Sequence, residues 1–196
     1  MYKKQLKLQK IICLLTLVAS AVVFLYALGI MTDLYDSLYS TMMNPADLSQ
    51  TTVPGSYVYY DMQAFNGQFL KVSIGLILLA CLLFITNTHS RRRYYIGNYI
   101  AVALNVVAQV ATIFWASGWI NYHKAQFLLV DFAALKAHAE LWKTLYTEST
   151  FWFDLHYGVF ALTLIVSVLL ILNTVWKVKL MKEEAQLIGA GKGAAA

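Results

Sequence analysis

Charge is what this chain has least of. Of its 196 residues only 13% are Asp, Glu, Lys or Arg, against 60% hydrophobic, whereas soluble domains carry about a quarter charged. That deficit excludes an ordinary soluble domain and predicts a polytopic membrane protein. Cysteine is scarce as well. Cys13 and Cys81 both fall inside apolar runs, so neither is placed for an exported disulfide. Without a Cys-x-x-Cys pair or a Cys/His cluster there is no frame for structural zinc or thiol exchange. The net charge of +5 does not point to nucleic acid, because the basic residues flank apolar runs and form no patch interleaved with base-stacking aromatics. Gly189, Gly191, Lys192 and Gly193 lack the spacing and the preceding strand of a phosphate loop. No Asn-x-Ser/Thr sequon occurs.

What is present is a set of four apolar runs, at 11–31, 69–88, 95–121 and 157–176. At ~1.5 Å rise per residue each reaches across, or nearly across, the ~30 Å hydrocarbon layer as a helix. Lys3, Lys4, Lys7 and Lys10 precede the first run. A basic start followed by an apolar stretch is also the pattern of a signal peptide, with residues 27–29 as a small-x-small cleavage site. The run exceeds the ~7–15 residues of a signal core, so a retained span is expected.

The N-terminal segment, the short loop of Arg91, Arg92 and Arg93, and the C-terminal segment hold 11 of the 15 Lys and Arg, whereas the two long loops hold 8 of the 10 acidic residues. The positive-inside rule then places both termini on the cytoplasmic side and the long loops, 32–68 and 122–156, outside. Aromatic residues near the span ends, among them Tyr26, Trp119, Tyr122 and Trp176, fit interfacial positions. The expected fold is an all-α membrane protein of four transmembrane helices, with residues 1–188 one domain and 189–196 a flexible tail. The first outer loop is expected to be irregular and the second helical.

Within the first loop, Leu34, Tyr35, Leu38 and Tyr39 recur at helical spacing and predict a short interfacial helix. Asn44-Pro45 and Pro54-Gly55 are turn signals, and residues 56–60 are rich enough in strand formers to predict a short extended piece. In the second loop, residues 124–147 read as an amphipathic helix with Lys136, Glu140 and Lys143 on one face.

Three groups of residues are candidates for function. Asn98, Asn105, Gln109 and Thr112 fall on one narrow face of the third span at ~100° per residue. Unpaired amides in hydrocarbon cost several kcal/mol, so this face is expected to hydrogen-bond to a neighbouring helix, and otherwise to line a path or dock another subunit. The second group comprises His123, Asp131, His138, Asp154 and His156 at the outer side. These are nitrogen and oxygen donors of the type that binds zinc or copper, but at no recognised metal spacing. The third is Arg91, Arg92 and Arg93 with Lys177 and Lys179, expected to fix topology and to contact anionic cytoplasmic headgroups.

The spans carry no central ionisable residue of the sort that moves protons or coupled ions. The two outer loops, 32–68 and 122–156, together hold about 70 residues, with Tyr57, Tyr59, Tyr60, Phe65, Trp142 and Trp152 among them, and aromatics of this kind suit protein interfaces. The function expected is therefore a non-enzymatic accessory or scaffolding subunit of a larger membrane complex, such as a transporter. Its partners would be other integral membrane chains and the bilayer, with no cofactor. A small transporter using the polar face, and a metal or redox protein using the outer histidines, are the alternatives.

Overall fold

A computed structural model describes residues 2–42, 51–89 and 95–193. The described residues form α1 (Tyr2–Leu38), α2 (Val58–Asn87), α3 (Ile96–Phe127), α4 (Phe132–Trp142) and α5 (Phe151–Gly193), with a 3-10 turn at Tyr39–Thr41 and no strand. Four of these helices, all but α4, are long and apolar enough to cross a membrane. The chain is a multi-pass membrane protein by that composition. Arg91, Arg92 and Arg93 lie outside the described residues.

The helices outrun the apolar segments that announce them. Beyond Met31 there is neither Pro nor Gly to stop α1, and the Ser37 hydroxyl donates back to Asp33 O at 2.7 Å. The separate interfacial helix expected at 34–39 is thus the end of α1. Leu34 and Leu38 are buried, while Tyr35 and Tyr39 stack with centroids 4.8 Å apart. At the other end, α5 stays helical to Gly193, past the expected start of a tail at residue 189.

The extended piece expected at 56–60 is not formed. Gly55 adopts φ +81°, and a Cβ there would stand 2.8 Å from Leu129 O and 2.9 Å from Val130 Cα, so only glycine suits this turn. The Ser56 hydroxyl then donates to Val53 O at 2.8 Å and α2 starts at Val58. β-formers do not make a strand where no second strand is available; among the described residues the one β pairing is an isolated antiparallel bridge between Met42 and Thr51. Asp61 in the first turn of α2 is well placed against the helix dipole.

The expected helix at 124–147 is divided. α3 ends at Phe127, and α4 begins anew because the Asp131 carboxylate accepts the Ala134 N–H at 2.9 Å as an N-cap. Asp131 N–H also donates to Pro54 O at 3.0 Å, which pins the break. α4 closes on Lys143 in the left-handed conformation, φ 55°.

The chain forms two compact units. The first comprises residues 1–21, 75–110 and 161–196; its core is small and aliphatic, built from Ile12, Cys13, Leu83, Ala101, Val102 and Leu170. The second comprises residues 22–74 and 111–160 and is packed with rings. Phe69 meets Tyr26, Phe65, Trp115 and Phe160 at centroid separations of 5.6–6.4 Å, mostly edge to face, the arrangement aromatic quadrupoles prefer. Gly29 of α1 lies directly against the Trp152 indole.

Candidate functional site

The polar face of α3 is buried along its length, Asn98, Asn105, Gln109 and Thr112 alike. Three of the four belong to the first unit. Asn105 Nδ2 donates to Leu79 O of α2 at 2.8 Å and to Ala101 O of its own helix at 3.3 Å. Gln109 Oε1 accepts the Ser167 hydroxyl of α5. Asn98 O accepts from Asn87 Nδ2 at 3.2 Å. This face therefore turns towards protein and ties α3 to both α2 and α5 inside that unit. Asn105 Oδ1 and Gln109 Nε2 remain without a hydrogen-bond partner.

A second polar cluster in the first unit has no counterpart among the sequence-based candidates. Gln5, Gln9, Cys13, Thr16 and Ser20 are all buried on α1, at spacings of three and four residues that place them on one face. Gln9 Oε1 accepts from Asn173 Nδ2 of α5 and from Gln5 Nε2 at 3.1 Å. Gln9 Nε2 reaches Cys13 Sγ at 3.6 Å. One turn beyond Asn173, Lys177 is only 5% exposed and its ammonium lies 5.3 Å from the centre of the Tyr99 ring, a cation–π arrangement. Lys177 was expected at a lipid headgroup just past the fourth span; because α5 continues for several turns, it is instead buried within the helix. Lys179 is exposed. The signal for the cluster was available: Gln5 and Gln9 are spaced by one helical turn, as are Asn173 and Lys177.

In the second unit the five outer donors do not gather into one site. Asp131 caps α4, and the ring nitrogens of His138 lie 3.4 Å from Ser40 Oγ and 3.5 Å from Thr52 Oγ1. Asp154 pairs with Lys124 Nζ at 2.5 Å and accepts the Thr150 hydroxyl at 2.8 Å. His156 is fully buried, with Nδ1 on Phe153 O. His123 is 1% exposed, flanked by Phe65, Trp119 and Tyr122. Among the described residues no three His, Cys, Asp or Glu side chains gather as a group able to hold a metal ion.

Four of the aromatics expected to be outward prove otherwise. Tyr59 and Phe65 are buried, and Tyr60 and Trp152 are partly so; Tyr57 and Trp142 are exposed. Apolar exposure on the α3–α5 connection comes mainly from leucines: Leu129 is 70% and Leu141 76% exposed beside Trp142 at 66%.

No protein-family model, no curated protein and no solved structure matches this chain.

Proposed function

We propose that this protein is a non-enzymatic accessory or scaffolding subunit of a larger membrane complex, with both termini and the Arg91–Arg93 loop cytoplasmic. The topology rests on the excess of Lys and Arg in those segments. The observation that carries the association is the apolar surface of the connection between α3 and α5. Leu128, Leu129, Leu141, Trp142 and Leu145 are all more than half exposed, on a connection that also carries Lys136, Glu140, Lys143 and Glu148. Large apolar side chains rimmed by charge are the makings of a protein interface, with the tryptophan as its anchor.

The polar face of α3 supports the same role. Its amides are engaged in helix-to-helix hydrogen bonds, the use such groups commonly have in membranes, and this favours assembly over a path for solute. Transport, where the complex performs it, would then belong to the partner chains. Purification from native membranes in gentle detergent or nanodiscs, followed by mass spectrometry, tests the proposal. The expected result is a stoichiometric set of integral membrane chains; recovery of a lone monomer overturns it.

A further inference from the structure

His123 sits in the last turns of α3 with its ring 1% exposed, and neither Nδ1 nor Nε2 has a hydrogen-bond partner. Buried imidazole nitrogens are normally paired, since an unpaired polar atom forfeits its water for nothing in return. Asp61 Oδ2 stands 3.8 Å from Nδ1, beyond hydrogen-bond length. Both residues belong to the lining of a cleft of 180 Å³, together with Ala64, Phe65, Gln68 and Trp119. It shares Trp119 with a wider groove of 520 Å³ formed by Trp115, Gly118, Trp119 and Tyr122, where Gly118 leaves open space above the helix. A polar end thus adjoins an aromatic trough, the usual composition of a small-molecule site.

The chemistry of the walls selects the ligand. Of the described residues lining the cleft, Asp61 is the one with a formal charge, and its side chain is 40% exposed. Indole and phenyl faces attract cations through their quadrupoles. A neutral imidazole offers one lone pair and one N–H, so a cation that carries N–H groups would bond to His123 as well as to Asp61, whereas a quaternary ammonium would leave the ring unpaired. We propose that this cleft binds a primary ammonium group, with Asp61 as counter-ion, the His123 lone pair as second acceptor, and Phe65 and Trp119 as the aromatic walls. The same chemistry is carried by a soluble aromatic amine and by an ethanolamine lipid headgroup.

The test uses the full chain in phosphatidylcholine nanodiscs, titrated with phenethylamine while tryptophan emission is followed. Saturable binding is expected, weakened about tenfold or more by Asp61→Asn and by His123→Gln, and about tenfold weaker for the neutral analogue 2-phenylethanol. Asp61→Asn is isosteric and half-exposed, so it keeps the test meaningful where His123→Gln fails to fold. Repeating the titration with phosphatidylethanolamine in the nanodiscs separates the sources: a several-fold loss of apparent affinity assigns the site to the headgroup, and undiminished affinity assigns it to a soluble amine. No saturable change up to about 10 mM amine, the affinity of a contact too weak to matter, overturns the proposal and leaves water as the bridge between Asp61 and His123. Equal binding by the alcohol, by phenethyltrimethylammonium or to Asp61→Asn overturns it too.

Discussion

Replacing Gly29 with alanine sets two effects of known sign against each other. A methyl on a helical glycine stabilises the helix by about 1 kcal/mol through reduced backbone entropy in the unfolded chain. At Gly29, however, the new Cβ would overlap Cζ3 and Cη2 of the Trp152 indole and stand 3.0 Å from Cε3. The indole is a large plane that must swing away as a whole, and overpacking of this kind costs about 1–3 kcal/mol. The net expectation is a loss of up to roughly 2 kcal/mol. Gly75 of α2 provides the internal control, for nothing lies within 4 Å of a Cβ built there, and Gly75→Ala should gain up to about 1 kcal/mol. Thermal unfolding in one detergent, read by size-exclusion profile, should therefore rank Gly75→Ala above the native chain and Gly29→Ala below it. In the double-mutant cycle with Trp152→Leu, the clash at Gly29 should largely vanish, a coupling of about 1–3 kcal/mol. If Gly29→Ala is as stable as Gly75→Ala, the packing of α1 on Trp152 described above is wrong.

Asn105→Leu should cost less than about 1 kcal/mol in the same melt, since interhelical hydrogen bonds in membranes average ~0.6 kcal/mol and the substitution also removes the unpartnered Oδ1; complete loss of folded protein would contradict this. Lys177→Met should be neutral or stabilising, because a buried cation replaced by an apolar chain of similar length sheds its desolvation cost. Marked destabilisation would mean that the Tyr99 contact is a major support. Asp131→Ala removes the N-cap of α4 at a cost of about 1 kcal/mol, and hydrogen exchange should quicken in the first turn of α4 while α2 is unchanged.

The four spans were legible because each is a long apolar run, and hydrocarbon admits little else. Their ends were not. Tyr2 to Lys10 and Lys177 to Gly193 are polar enough to look like flanks, yet neither contains a proline, and so α1 and α5 carry Gln5, Gln9 and Lys177 into buried positions. The buried face of α3 could be read from the spacing of Asn98, Asn105 and Gln109, since a polar stripe in a span must face protein. Its partners could not, because Leu79 contributes a backbone carbonyl and Ser167 is one hydroxyl among several on α5. Local pattern also misled at Tyr57 to Tyr60, where strand propensity yields to the Gly55 turn, and at Asp131, which the pattern sets inside one continuous helix over 124–147 and which instead caps α4. The cleft at His123 joins the start of α2 to the end of α3, a pairing that no spacing within either helix reveals.

The accessory role stands or falls on whether the exposed leucine and tryptophan surface is covered in the native membrane. Site-specific photo-crosslinking reads this directly, with a photoreactive residue at Leu141 and, as the control, at Leu78, an exposed position in the apolar span of α2. A discrete protein adduct from Leu141, with lipid adducts alone from Leu78, is the predicted result. Lipid or solvent adducts alone from Leu141, in cells that express the chain at its native level, would contradict the account.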